Sequence, residues 1–137
     1  MKSTLKTLAA LLIVTALLMP IGCKKVIYEK LLEGTWRVIT YYKNGVDSTS
    51  SFFILYQDYT LTFHPDGAFT ETTLAVGLLP VTITGTWELI NNASQLTLID
   101  NNFTRTFDIN KQTKDELNIS RDLSGGGDEG YVLIPKE

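Results

Sequence analysis

One cysteine, one histidine and no apolar run of membrane-spanning length set the first limits on this 137-residue chain. With Cys23 alone, no disulfide can form within the chain, so stability must come from an apolar core. His64 sits at a turn, on the same wet face as Thr60 and Thr62, where a solvated role outweighs a catalytic one. Metal binding needs several converging His, Cys or carboxylate ligands. Asp58, Asp66 and Glu71 fall near one hairpin, but no set clusters by spacing. Nucleophile elbows, phosphate loops and nucleotide fingerprints are missing as well. The chain is therefore expected to be no enzyme and to hold no cofactor or metal. Its 12 Lys and Arg against 15 Asp and Glu, without a basic cluster, argue against nucleic acid as a partner.

What the chain does have begins at its first residues. Lys2 and Lys6 give a positive start, and the apolar stretch 8–19 ends at Pro20. That is short of the about 20 residues a membrane-crossing helix needs, and it has the layout of an export signal. Ile21 and Gly22 stand directly before Cys23, an arrangement that resembles a lipobox, with Pro20 where the pattern has leucine. A lipobox implies that Cys23 is acylated and becomes the first mature residue. The rival is a plain secretory signal leaving a free thiol, a liability in an oxidising compartment. Residues 1–22 read as a lipoprotein signal peptide, 23–32 as a short lipidated tether with a turn of helix, and 33–137 as a single domain. Losing Lys2 and Lys6 takes the formal net charge from −3 to about −5. One acyl chain binds a membrane only marginally, whereas the two or three that a lipobox implies would hold the domain there. Membrane lipid is thus the first expected partner, with Lys24 and Lys25 near its headgroups.

From Gly34 onward no long segment has helical period, and aromatic and β-branched residues alternate with polar ones between Asn, Asp, Gly and Pro clusters. Residues 81–89 are the cleanest case. Val81, Ile83, Trp87 and Leu89 face one way, and Thr82, Thr84, Thr86 and Glu88 the other. One buried face and one wet face is an antiparallel habit. Further strands are expected at 34–42, 56–64, 68–76, 95–100, 103–110, 116–121 and 130–134. Short connections, such as a type I turn at His64-Pro65-Asp66-Gly67, imply an up-and-down meander. About eight such strands remove their exposed edges by closing into a barrel; a double-sheet sandwich is the alternative. Residues 43–55 form the one long early connection, either a lid over the barrel mouth or a surface loop whose Phe52 and Ile54 plug the core.

Gly34-Thr35-Trp36 and Gly85-Thr86-Trp87 are identical tripeptides, and each is followed by a charge and two aliphatics. Together with the hairpin 61–69 and the long first loop, they resemble the small lipocalin-like lipoproteins of Bacteroidetes-type bacteria. The resemblance implies an all-β, eight-stranded antiparallel barrel binding a small hydrophobic or amphipathic ligand. It implies that Trp36 closes one end, a ring burying about 150–250 Å², with Gly34 allowing the tight turn beside it and Trp87 as its counterpart. It further implies a late-strand arginine stacked on Trp36, for which Arg121, on the face of Leu117 and Ile119, is the candidate. Residues 24–29 lack the acidic run associated in such lipoproteins with export to the surface. A periplasm-facing anchor in the outer membrane or cell envelope is therefore expected.

Strand parity supplies the binding candidates. Arg105 shares a face with Phe103, Phe107 and Ile109, and Glu71 shares one with Phe69. A charge inside a barrel must be paired, hydrated or liganded. Arg105 therefore either meets an anionic head group, pairs with Glu71, or is turned outward by a bulge. Tyr41, Tyr42, Tyr56, Tyr59 and Phe63 either line a cavity near the mouth or fill the core; Tyr42, Tyr59, Phe63, Glu71 and Arg105 are the proposed ligand contacts. Should the barrel be packed solid, the chain would instead act through its loops as a protein-interaction module.

Overall fold

The computed structural model describes residues 21–75 and 79–137, the side chains at 21–24 and 75 excepted. The export segment 1–20 and the Cys23 side chain lie outside the described residues. In chain order the elements are α1 (Ile21–Leu32), β1 (Gly34–Lys43), β2 (Val46–Asp47), α2 (Thr49–Leu55), β3 (Tyr56–Phe63) and β4 (Ala68–Ala75). They continue with β5 (Pro80–Ile90), β6 (Gln95–Ile99), β7 (Thr104–Gln112), β8 (Leu117–Asp122) and β9 (Asp128–Pro135). Each of β3 to β9 pairs antiparallel with the next, and β1 pairs with both β3 and β9. Eight strands thereby close into an up-and-down barrel, and the two-residue β2 is an extra edge on β1. Closure leaves no long free edge, which explains why a chain of consecutive hairpins is stable without a second sheet.

One end of this barrel is packed shut. Trp36, Leu61, Phe63, Phe69, Leu89, Leu96, Leu98, Leu117 and Leu133 are each at most 2% exposed. Burial of each such side chain is worth ~1.5–3 kcal/mol. The tether expected before Gly34 is in fact a twelve-residue helix whose last residue belongs to the core. Leu32 is wholly buried, and its carbonyl accepts the Trp36 Nε1–H at 2.7 Å. The carbonyl of Tyr28 accepts from Gln112 Nε2 at 2.6 Å. Thus α1 stoppers the closed end, opposite the loops 43–56, 100–103 and 123–127 that ring the mouth.

The two Gly-Thr-Trp copies share this end and use their glycines differently. Gly34 has φ +126°, which an L side chain rarely adopts, although a Cβ there would meet nothing. Gly85 is excluded by space instead, since a Cβ would lie 2.0 Å from the Ile99 carbonyl oxygen and 2.7 Å from the Phe69 ring. Trp87 donates its Nε1–H to the His64 carbonyl at 3.1 Å and meets Phe63 edge-on at 5.4 Å. Gly85→Ala is expected to cost about 1–3 kcal/mol as an overpacked site. Chemical denaturation would measure it, and a loss below a few tenths would mean that the β5–β6 pairing relaxes freely there.

Three strands carry irregularities that turn side chains over. In β1 the register shifts between Val38 and Thr40, in β3 between Gln57 and Thr60, and in β7 between Ile109 and Lys111. Because side chains alternate with period two, one extra residue exchanges inside for outside. The loop 43–55 holds α2, which fits the lid and, through Phe52, the plug. Phe52 is 5% exposed, whereas Ile54, expected to plug beside it, is 66% exposed. The Asp47 carboxylate starts this helix, taking the Thr49 N–H at 2.9 Å and the Thr49 hydroxyl at 2.6 Å.

Candidate functional site

Under α2, at the mouth, lies a cavity of about 540 Å³. That lies within the ~300–1,000 Å³ of small-molecule sites. Phe52 hangs from the helix onto an aromatic cluster, with ring centroids 4.8 Å from Tyr41, 5.4 Å from Tyr59 and 5.9 Å from Tyr131. Leu55 and Tyr56 continue this apolar upper wall.

The cavity floor is polar. Arg105 Nη2 contacts Glu71 Oε2 at 2.6 Å and lies 3.8 Å from Asp100 Oδ2. Since Arg105 is on β7 and Glu71 on β4, this bond runs across the barrel interior rather than between neighbouring strands. A second pair joins Arg121 Nε to Glu129 Oε1 at 2.5 Å, with the Arg121 guanidinium 5.1 Å above the Phe107 ring. The Tyr41 hydroxyl donates to Glu129 Oε2 at 3.3 Å. Burial, then the field of Glu129, raises the ionisation of Tyr41 and Tyr131 above the ordinary tyrosine value. Burial, then Glu71, raises that of Tyr59 as well. For Arg105, burial opposes the charge, but the hydrogen bond and field of Glu71 outweigh it and hold its pKa up.

These shifts have a measurable sign. A free tyrosine ionises near pH 10, so above that pH the unfolded chain releases protons that folded Tyr41, Tyr59 and Tyr131 retain. The stabilisation they supply is complete below about pH 10 and is lost as pH rises beyond it. Thermal unfolding followed between about pH 9 and 11 should show a falling Tm. Tyrosinate absorbance of the folded protein should show Tyr41, Tyr59 and Tyr131 ionising above the ordinary tyrosine range, and ordinary titration of these three rings would contradict the buried belt.

Of the residues singled out by sequence, Tyr59, Glu71 and Arg105 converge on this cavity. Tyr42 does not. The bulge at Ile39 reverses the parity of upper β1, so Tyr41 points in and Tyr42 projects outward, 38% exposed. Phe63 sits deep in the packed end, 1% exposed against Trp87, not at the mouth. Arg121 is not stacked on Trp36. β8 rises from the closed end at Leu117, so Arg121 pairs in register with Glu129 at the mouth, roughly 20 Å of strand from Trp36. Trp36 is at the closed end, capped by Leu32 rather than by a cation. Sequence reading missed Glu129 and Tyr131. Counting parity back from Leu133 reaches Tyr131 within the expected strand and would have reached Glu129, had that strand not been started at Gly130.

A second recess of about 530 Å³ lies on the flank where upper β3 parts from β1, lined by Arg37, Phe53, Asp58 and Lys136. Tyr59 borders both spaces, but only the interior one contains the Arg105–Glu71 and Arg121–Glu129 pairs.

The lipocalin-like domain family matches residues 32–119, well over half of the chain. The chain belongs to that family. A lipocalin-like protein from Bacteroides uniformis superposes with a TM-score of 0.58 at 15% identity, covering 77% of this chain and 99% of that one. A protein from Bacteroides eggerthii gives 0.53 at 13%, with 77% and 99% coverage. Lobster apocrustacyanin A1 gives 0.58 at 13%, with 83% and 66% coverage. At such identities these likenesses show a shared fold. No curated protein matches the sequence. Within this lipocalin-like chain, the two charge pairs sit inside the barrel beneath α2.

Proposed function

We propose that this lipocalin-like barrel binds a small hydrophobic or amphipathic molecule in the cavity beneath α2, as a non-enzymatic carrier or receptor held at a bacterial envelope membrane. The observation that carries the reading is the 540 Å³ space between a lid that presents Phe52 and Leu55 and a floor of paired charges. Binding follows from removing apolar ligand surface from water, while the Arg105–Glu71 and Arg121–Glu129 pairs and the tyrosine hydroxyls orient the polar end. Native mass spectrometry of residues 24–137, gently purified from the periplasm, tests it. A discrete added mass that is lost on denaturation is expected. A clean apo mass, unshifted by fatty-alcohol, fatty-acid and sterol panels, would refute it.

Anchoring rests on the lipobox-like run before Cys23. Acylation there places the domain at the outer membrane, facing the periplasm. Cys23→Ala is expected to leave an unprocessed or soluble product in cell fractionation; normal membrane retention with normal processing would rule acylation out.

A second reading is favoured by the mouth rim, where Ile54 and Leu79 are 66% and 76% exposed. Such residues suit a protein-interaction module acting as an inhibitor, adhesin or envelope-complex subunit. The apo outcome above would turn the assignment to it.

A further inference from the structure

Resting on the reading that the cavity takes an amphipathic molecule, we propose that this molecule enters polar end first, that its polar end carries no net charge, and that its apolar remainder lies along the rim. Three observations carry this. First, the cavity ends on a solid floor: beneath the belt of paired charges, Leu61, Phe69, Leu98 and Phe107 are each at most 3% exposed. A long tail therefore has no space below the belt.

Second, both guanidiniums of the floor are already paired. Glu71 holds Arg105 at 2.6 Å, and Glu129 holds Arg121 at 2.5 Å while accepting from the Tyr41 hydroxyl. Asp100, 3.8 Å from Arg105, adds a further negative charge. An ionised carboxylate or phosphate arriving here finds each guanidinium taken and three carboxylates close by. An ammonium would have to displace an arginine from Glu71 or Glu129, and the Asp100 carboxylate already accepts from the Asn102 and Phe103 N–H groups at 2.8 and 2.9 Å. Burying an uncompensated charge is far costlier than burying a hydroxyl or amide that finds a partner. Such a neutral group still has partners, because Arg105 Nε–H is buried with no acceptor and the tyrosine hydroxyl oxygens can accept.

Third, the exposed apolar residues lie at the other end of the ligand path. Leu55 and Tyr56 are 54% and 45% exposed beside the cavity. Val81, one step nearer the mouth than Ile83, the register partner of Glu71, is 42% exposed. A tail laid on these residues covers apolar surface that the barrel itself leaves wet. Lys43, exposed at the rim, has no ion pair among the described residues and is the cation that an anionic head would meet first.

The test titrates the full chain, held in an amphipol, with four probes of equal tail: 1-decanol, decanamide, decanoate and decylamine, against amphipol alone as blank. At neutral pH the alcohol and amide should bind at least tenfold tighter than the carboxylate and amine. Decanoate binding as tightly as decanol would overturn the neutral head while leaving a ligand-binding barrel. Binding by none of the four would overturn this inference together with the reading beneath it. Orientation is read from Glu71→Gln, which frees Arg105; the decanoate-to-decanol affinity ratio should rise at least tenfold, and an unchanged ratio would mean that the head never reaches the floor. Should that variant misfold, Leu55→Asp on the rim decides. Decanol binding at least fivefold weaker supports the outward tail, and unchanged binding overturns it.

Discussion

Trp36→Ala is expected to cost about 3–5 kcal/mol, the range for truncating a buried aromatic ring. In a domain of this size that corresponds to a Tm lower by roughly 10–20 °C. Two losses add in this variant. The ring, 2% exposed, leaves a cavity in the closed end, and the Leu32 carbonyl loses the donor held at 2.7 Å. Trp36→Phe weights them differently, because it keeps one aromatic ring in place while removing the N–H with the smaller part of the indole. Leaving the buried carbonyl unpaired should then cost about 1–3 kcal/mol. The same bond ties α1 to the barrel, so protection of the α1 amides from hydrogen exchange should fall in both variants. A Tm within 2–3 °C of the parent for Trp36→Ala, roughly half a kcal/mol, would mean that α1 and the surrounding leucines close the end without it.

The second large effect lies at the mouth. Glu129→Ala is expected to cost about 3 kcal/mol or more, because it strands a mostly buried guanidinium and removes the acceptor of the Tyr41 hydroxyl. Glu129 is itself only 7% exposed. The double variant Arg121→Met with Glu129→Leu removes both charges and should recover most of that loss, since apolar replacement of a buried pair is often neutral or stabilising. This difference between single and double variants is the diagnostic, and equilibrium denaturation of the three proteins measures it. A single-variant loss under 1 kcal/mol would show a water-filled pair of the surface kind, worth little to stability. The recovered double variant serves a further purpose, because it separates stability from binding. A stable barrel with half of its polar belt removed should hold neutral amphiphiles less well than the parent does.

Much of the barrel was legible from alternation alone. Residues 81–89 alternate strictly, and β5 runs Pro80–Ile90 with Trp87 and Leu89 buried. The turn at His64-Pro65-Asp66-Gly67 forms as its residues dictate, with the Gly67 N–H on the His64 carbonyl at 3.1 Å. Upper β5 departs from expectation: Val81 and Ile83 face inward, yet the open mouth leaves them partly exposed. Parity also brought Arg105 and Glu71 to the interior, because no bulge intervenes between them and their neighbours on the strand.

Where a bulge does intervene, local pattern fails. The one extra residue at Ile39 exchanged Tyr41 for Tyr42, and nothing in Thr40-Tyr41-Tyr42 distinguishes the two rings beforehand. Arg121 was misplaced for a different reason. Its facing was right, but its height along the barrel depends on the β8–β9 register, which the Arg121↔Glu129 pairing fixes only after closure.

The sequence by itself therefore determined the strand count, the antiparallel meander, the aromatic closed end and the lipobox-like lead into Cys23, because each is written in neighbouring residues. Tertiary structure decided what the barrel contains. The Arg105–Glu71 bond joins residues 34 apart on strands that are not neighbours. The docking of α1 against Trp36 and the seating of Phe52 among four tyrosine rings, Tyr56 included, likewise exist only once the sheet has closed. Periodicity fixes which face a side chain takes; closure fixes which side chains meet across the interior, and the site is made of the latter.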